Sequence, residues 1–341
     1  MDSEFIQSVN IAECTGTEQE YHDDKDYISA SGLKKLKTSP AHYKEGEEMK
    51  ETNALIFGSA YHCYILEPAR FEKEYYIFND DTTCQAIIAK GAAEGKEVKN
   101  VRNTKEYKTW AESEMRIIGN RKVITKDVAE RIVAMRERLF QHPYAKMLLT
   151  NGRAEVGYKG EIETEAGKIN VKFRPDYIKD VKHLVVDLKT AMDASLDGFT
   201  RAAADREYHI QAAFYADMMS KMEGHNRDFT FIFIAQEKVK PYAFNIFEAG
   251  PQFISQGRYE YEMLLQLYKF CLDKGSWPGY QIFCQNKYGI LELKLPPWAI
   301  KSLDYYDHNY SPKKQENGKQ LAISSQRERE QATCFHSSEA V

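Results

Sequence analysis

Hydrophobic periodicity changes character near residue 150. From Tyr27 up to that point, apolar positions recur at helical spacing. Ser29 or Ser31 can N-cap a short helix running through Lys37, and Ser39-Pro40 stops it. The run Asn53 to Leu66, rich in small and apolar residues, predicts a second helix ending before Pro68. Residues 70–150 are mostly charged and helical. The clearest segment covers 125–149, with Thr125 as N-cap and Val128, Ile132, Met135 and Leu139 one turn apart. His142-Pro143 interrupts it, and Asn151-Gly152 ends it. Beyond, residues 154–159, 169–174 and 183–188 alternate or run apolar over strand lengths, with turns at 165–168 and at Lys179-Asp180. A helix from Glu207 to Met222 follows. Strands Phe229 to Ala235 and Tyr242 to Phe247 then flank Val239-Lys240-Pro241, and an amphipathic helix covers 251–273. Helices followed by strand-strand-strand-helix-strand-strand-helix predict an α/β fold: a central mixed sheet with helices on both faces, and a helical N-terminal region.

The two ends differ from this. Residues 1–26 carry Asp2, Glu4, Glu13 and Glu18 without periodicity and predict a flexible acidic arm. Residues 311–341, rich in Ser, Gln, Glu and Lys, read as a disordered tail after an extension over 276–310. An apolar content of 43% indicates a folded chain, and no apolar run approaches membrane-spanning length. The N-terminus lacks the basic start and apolar centre of a secretory signal. Six cysteines, at 14, 63, 84, 271, 284 and 334, show no paired spacing and read as reduced thiols. A cytoplasmic protein is expected. The net charge of −4 does not advertise a nucleic-acid partner. It is compatible with carboxylates gathered round a metal and basic residues confined to a channel.

Asp176 follows Arg174-Pro175, and Asp187 and Lys189 end the most apolar strand. On a strand, residues two apart share a face, so Asp187 and Lys189 do, while Leu188 points into the opposite layer. If the strands before and after pair antiparallel, Asp176 comes within a few ångströms of Asp187. Two such carboxylates repel unless a cation lies between them. Mg²⁺ suits: it takes oxygen ligands and often only one or two carboxylates, and the Leu188 carbonyl offers another oxygen. Lys189 beside it can orient or deprotonate an attacking water and offset charge on phosphate, so the set points to phosphodiester hydrolysis. Alone, Asp-x-Lys is a weak signal, since an ion pair at a strand end has the same spelling.

The surrounding blocks add specificity. Pro175-Asp176 with Asp187-Leu188-Lys189 fits the PD-(D/E)XK signature. The run from Asp187 to Ser195, Phe199, and Tyr208-His209-Ile210-Gln211 through Tyr215 resembles the exonuclease VIII (RecE) nuclease-domain family, in the RecB-like branch of those nucleases. So do Tyr27 to Leu33 with Ser39 to Tyr43, and Phe57 to Pro68. The resemblance spans about residues 27–275. It implies 27–150 as a helical part carrying His62 as a metal ligand, and 151–275 as the catalytic core. It also implies Asp176 and Asp187 as metal-binding carboxylates, Lys189 as the catalytic lysine, Gln211 and Tyr215 as the branch's Gln-x-x-x-Tyr pair, and Glu155 as an acid beside the site. Residues 208, 211 and 215 do fall on one helix face. The implied activity is Mg²⁺-dependent, with Mn²⁺ able to substitute: digestion of one strand from double-stranded DNA ends, 5′ to 3′. A homo-oligomeric ring and a RecT-like single-strand annealing partner are implied with it.

Plainer readings stand beside these. His62 could be a satisfied core histidine, and Gln211 and Tyr215 could fill core space. Arg174 could bind a DNA phosphate, or pair with Glu155 or Asp176. Asp193 reads as a turn cap, and the basic stretches Lys34 to Lys37 and Arg131 to Arg138 as solvated helix faces. An endonuclease on the same core and a catalytically inactive DNA-binding module are the rival functions.

Overall fold

The computed structural model describes residues 5–14, 16, 18–47, 52–224, 228–284, 288 and 290–301. The expected tail at 311–341 and the end of the extension, 302–310, lie outside them. The chain divides into a unit of residues 1–282 and a second of 283–341. Among its described residues the second holds one 3₁₀ turn, Pro297–Ala299.

The first unit begins β1 (Ile6–Glu13), α1 (Glu18–Asp23), α2 (Ala30–Thr38), α3 (Pro40–Glu45), α4 (Asn53–Leu66) and α5 (Pro68–Glu74). Next come β2 (Tyr75–Phe78), α6 (Asp81–Ala93), α7 (Lys105–Ile118), β3 (Lys122–Thr125), α8 (Lys126–Phe140) and α9 (Pro143–Leu148). The strand-rich part has β4 (Arg153–Ala154), β5 (Tyr158–Thr164), β6 (Gly167–Phe173), β7 (Tyr177–Lys179) and β8 (Leu184–Ala191). Then follow α10 (Leu196–Asp205), α11 (Tyr208–Met222), β9 (Thr230–Glu237), β10 (Phe244–Glu248) and α12 (Pro251–Lys274).

Local chemistry accounts for the helix starts. Ser29, Thr52 and Thr125 each accept a backbone N–H with the side-chain oxygen, which satisfies one of the donors a helix leaves open. The central sheet runs β10-β9-β8-β7-β4, with β8 and β9 parallel and the other neighbours antiparallel. This is the mixed sheet expected. Residues of β8 alternate between two cores: Val185 and Ala191 pack on one face, Val186 and Leu188 on the other. Helices α2, α11 and α12 cover the first face; α4 and α8 cover the second. Burying Leu188 completely contributes roughly 1.5–3 kcal/mol. Helices α11 and α12 approach closely because Gly257 has no side chain: a Cβ there would meet the His209 carbonyl oxygen at 2.0 Å.

Three features depart from the sequence reading. Instead of a loose arm over 1–26, Ile6–Glu13 forms β1 and pairs with β5 along its whole length. Lys172 then ties the following segment down through the carbonyls of Tyr21 (2.5 Å) and Asp24 (2.6 Å). Most of β1 is exposed, so as a polar edge strand it shows little hydrophobic pattern. The N-terminal region is not purely helical, since β2 and β3 form a small parallel pair. Finally, the strand before Asp176 does not pair with β8. It is β6, in a separate sheet of order β1-β5-β6. The three-residue β7, just after Asp176, makes that contact.

Candidate active site

The pairing of β7 with β8 decides the geometry. Tyr177 lies opposite Val186, and one antiparallel step further brings Asp176 opposite Asp187. The Leu188 N–H is donated to Asp176 Oδ2 at 2.8 Å. Asp187 and Lys189 share a face as expected, with Lys189 Nζ 2.6 Å from Asp187 Oδ2. Gln211, from α11, donates its Nε2 to Asp187 Oδ1 at 2.8 Å. Tyr215, one turn on, is buried with its ring 5.6 Å from Phe173.

Helix α4 brings His62 to the other side. Its apolar residues Ala60, Tyr61, Cys63 and Ile65 join the core beneath β8, which leaves His62 at the rim, Nδ1 3.4 Å from Asp176 Oδ2. Glu155 completes the group from just beyond β4. It adopts a left-handed conformation, φ 53°, strained for a residue with a Cβ by about 1–3 kcal/mol. Its N–H is donated to the Asp176 carbonyl at 3.0 Å, and its carboxylate takes Arg174 Nε at 2.9 Å. One potential ligand atom from each of His62, Glu155 and Asp176 falls within 4.8 Å of the other two. A groove of about 290 Å³ opens from His62 and Glu155 along α4, past Gly58 to Arg70 and Lys122.

The electrostatics are unfavourable by construction. Burial pushes the Asp187 carboxyl up to about 6, with Lys189 opposing the shift and Asp176 adding to it. Burial also raises Asp176, against the pull of Lys189 and the Leu188 N–H. For Lys189, burial works against the charge, but the two aspartates outweigh it and hold the ammonium above its ordinary range. Asp187 Oδ2 is buried without a well-directed hydrogen bond, since the Lys189 ammonium meets it at 2.6 Å but at angles outside hydrogen-bond geometry. Carboxylates raised by burial, an oxygen without a hydrogen bond and an imidazole at the rim together fit a divalent cation.

Not every expected residue plays its simplest part. His62 and Asp176 meet, and the third member of their cluster is Glu155. Asp187, expected as a second metal-binding carboxylate, is not in that cluster: its oxygens are turned to Lys189 and Gln211. Arg174 takes the pairing alternative, holding Glu155 through its carbonyl (3.1 Å) and its carboxylate. Asp193 caps its turn by accepting the Ser195 N–H at 2.8 Å. The basic run on α2 is solvated at Lys35 and Lys37, but two of its lysines also have partners within the protein. Lys37 pairs with Glu207 and Glu260, and Lys34 lies 5.2 Å from the centre of the Tyr208 ring, the ring that also faces Lys189 at 5.1 Å. Only the helical position of Lys34, one turn before Lys37 and next to buried Leu33, hinted that it could turn inward.

Residues 29–287 match the family model described as a PDDEXK-like domain of unknown function (DUF3799). The chain belongs to this family. The PDDEXK-like fold accounts for the mixed sheet that carries Asp176, Asp187 and Lys189, and it is a nuclease fold whose members typically depend on a divalent metal. A solved structure described as a "putative exonuclease" from Eubacterium rectale is 16% identical. That likeness covers 87% of this chain and 99% of the other with a TM-score of 0.50, and so supports the fold. SSO0001 is 15% identical over 61% of this chain and 85% of its own, but its TM-score of 0.25 carries no weight. No curated protein matches the chain. Among the described residues no helix is long and apolar enough to cross a membrane.

Proposed function

We propose that this PDDEXK-like protein is a Mg²⁺-dependent exodeoxyribonuclease that digests one strand of linear duplex DNA, 5′ to 3′, in recombination of the phage or prophage type. The observation that carries the reading is the grouping of His62, Glu155 and Asp176 within ligand distance, with Asp176 bonded to the Leu188 N–H of β8 beside the Asp187–Lys189 pair. Asp176, His62 and Glu155 would hold the cation, with Asp187 and the Leu188 carbonyl as further oxygen donors from β8. When bound, the cation polarises a phosphate oxygen and makes a water more acidic; Mn²⁺ meets the same donor set.

The chain's own residues supply the rest. Lys189, kept protonated by the two aspartates, presents a fixed positive charge where the phosphate gains negative charge. Gln211 holds Asp187 in one orientation by its 2.8 Å hydrogen bond, and Tyr215 fills the wall behind it. Arg174 holds Glu155 and so keeps its carboxylate in the cluster. A ring of copies round the duplex and a RecT-like annealing protein that takes up the exposed strand belong to the same proposal, on the resemblance to RecE.

The test is digestion of end-labelled linear duplexes and closed circular DNA with Mg²⁺, with Mn²⁺ and with EDTA. Release of nucleotides from the 5′ label of linear DNA, with circles left intact, is expected. Cutting of circles points instead to an endonuclease. No metal-dependent hydrolysis of either substrate rejects the activity altogether.

A further inference from the structure

Three cations crowd one tyrosine on the open side of Lys189. Lys189 and Lys34 face the Tyr208 ring at 5.1 and 5.2 Å. Arg206 donates Nη1 to the Tyr208 hydroxyl at 3.3 Å, and Lys34 donates to the Arg206 carbonyl at 2.9 Å. Of the three, only Lys189 has a carboxylate, Asp187; Lys34 and Arg206 form no ion pair among the described residues. Glu207, the acid between Arg206 and Tyr208, is paired with Lys37 at 2.8 Å.

The cluster is held in a sparsely populated conformation. Glu207 is left-handed, φ 55°, and it breaks α10 from α11 so that Arg206 and Tyr208 flank the break. Lys37 of α2 secures Glu207, and the same helix carries Lys34 one turn earlier. Burial, with repulsion from Lys189, lowers Lys34 to about 8 against the pull of Asp187 and Glu207. Like charges gathered at the edge of a buried site, Lys34 and Lys189 withdrawn from water and Arg206 exposed, are stabilised by an anion among them, as paired carboxylates are by a cation. Arg offers a forked pair of donors and Lys a point charge, and both suit phosphate oxygens.

We propose that Lys34 and Arg206, over the face of Tyr208, bind a phosphate of the nucleic-acid strand adjoining the phosphate at Asp187 and Lys189. This rests on the nuclease reading above. It adds a phosphate subsite on the α2 side of Lys189, opposite the groove along α4.

The test is anisotropy titration of a labelled duplex oligonucleotide with the full-length protein in EDTA, over a series of salt concentrations. Wild type, Lys34→Gln, Arg206→Gln, the double variant and Lys34→Arg are compared, each with duplexes ending in a 5′-phosphate or a 5′-hydroxyl. The double variant is expected to bind about 10- to 100-fold more weakly. Each single Gln variant is expected to lower the slope of log affinity against log salt by about 0.9, while Lys34→Arg keeps the slope. A loss confined to 5′-phosphate ends places a terminal phosphate in the subsite; an equal loss on both ends places an internal one. Unchanged affinity and slope in the double variant overturn the proposal. Arg206 is exposed, so Arg206→Gln gives a reading even if Lys34→Gln does not fold. Since binding is read without divalent metal, a wild type that binds DNA but hydrolyses none rejects the nuclease reading alone. A wild type that binds neither duplex overturns this proposal.

Discussion

Two buried aspartates lie beside α11 and are treated in opposite ways. Asp217, on the helix itself, receives two hydrogen bonds from Arg258, at 2.7 and 2.6 Å, and a third from the Tyr261 hydroxyl at 2.6 Å. Its charge is answered by a forked guanidinium in favourable geometry, and the cluster ties α11 to α12. Asp187, 1% exposed on β8, receives one hydrogen bond from Gln211, an ion pair outside hydrogen-bond geometry from Lys189, and a second carboxylate, Asp176, as its neighbour across the strands. Burial costs are offset at Asp217 and left standing at Asp187. A carboxylate that its neighbours fully satisfy holds structure together. One that they leave short is kept ready for a ligand, at the expense of stability.

The contrast can be broken by mutation. Lys189→Ala is expected to lower hydrolysis at least about 10³-fold, or about 4 kcal/mol of transition-state stabilisation, with a thermal midpoint within a few degrees of wild type. End-labelled digestion and a melting curve on the same sample measure both. Asp217→Ala should do the reverse. It leaves Arg258 and the Tyr261 hydroxyl without their partner and should cost about 2–3 kcal/mol, the low end for a broken buried pair because Arg258 stays partly hydrated. A denaturant midpoint equal to wild type would sink the structural role of this cluster.

Further effects sharpen the comparison. The folded state raises the Asp187 carboxyl from 3.8 to about 6, so it binds more protons than the unfolded chain between those values. The contribution of Asp187 to stability is present in full below about pH 4 and is lost as pH rises through about 6. In EDTA, stability should fall across that window by roughly 3 kcal/mol. Added Mg²⁺ should flatten the slope, and Asp187→Asn should remove it. Denaturation midpoints at pH 4, 5, 6 and 7 give the profile. Smallest, Asp176→Asn should gain about 1 kcal/mol of stability in EDTA, because one buried charge beside Asp187 disappears while the amide oxygen can still accept from Leu188. Digestion should be lost with it, and a lower melting point would refute the repulsion argument.

Much of the site was legible because local rules govern it. Asp187 and Lys189 share a face since strands alternate, and the apolar run from Leu184 to Leu188 announced the strand. Gln211 points at Asp187 from the helix and helix face expected of it. Ser29 and Thr125 mark helix starts that the structure keeps. What was misread depends on partners distant in sequence. The strand β1 looked like a polar arm because an edge strand needs a neighbour's backbone more than an apolar face of its own. The partners of Lys34 and Lys37 went unseen because nothing local reveals that Glu207, Glu260 and Tyr208 lie against that helix.

By itself, then, the sequence determined the alternation that sets Asp187 beside Lys189, the helix that carries His62, and the α/β class. All of these follow from side-chain periodicity and capping within a few residues. Tertiary structure alone decided that β7, rather than β6, pairs with β8, and that Lys34 and Arg206 meet at Tyr208. Strand pairing and charge clusters of this kind are set by which surfaces pack together, and packing is a property of the whole chain that no short window of residues contains.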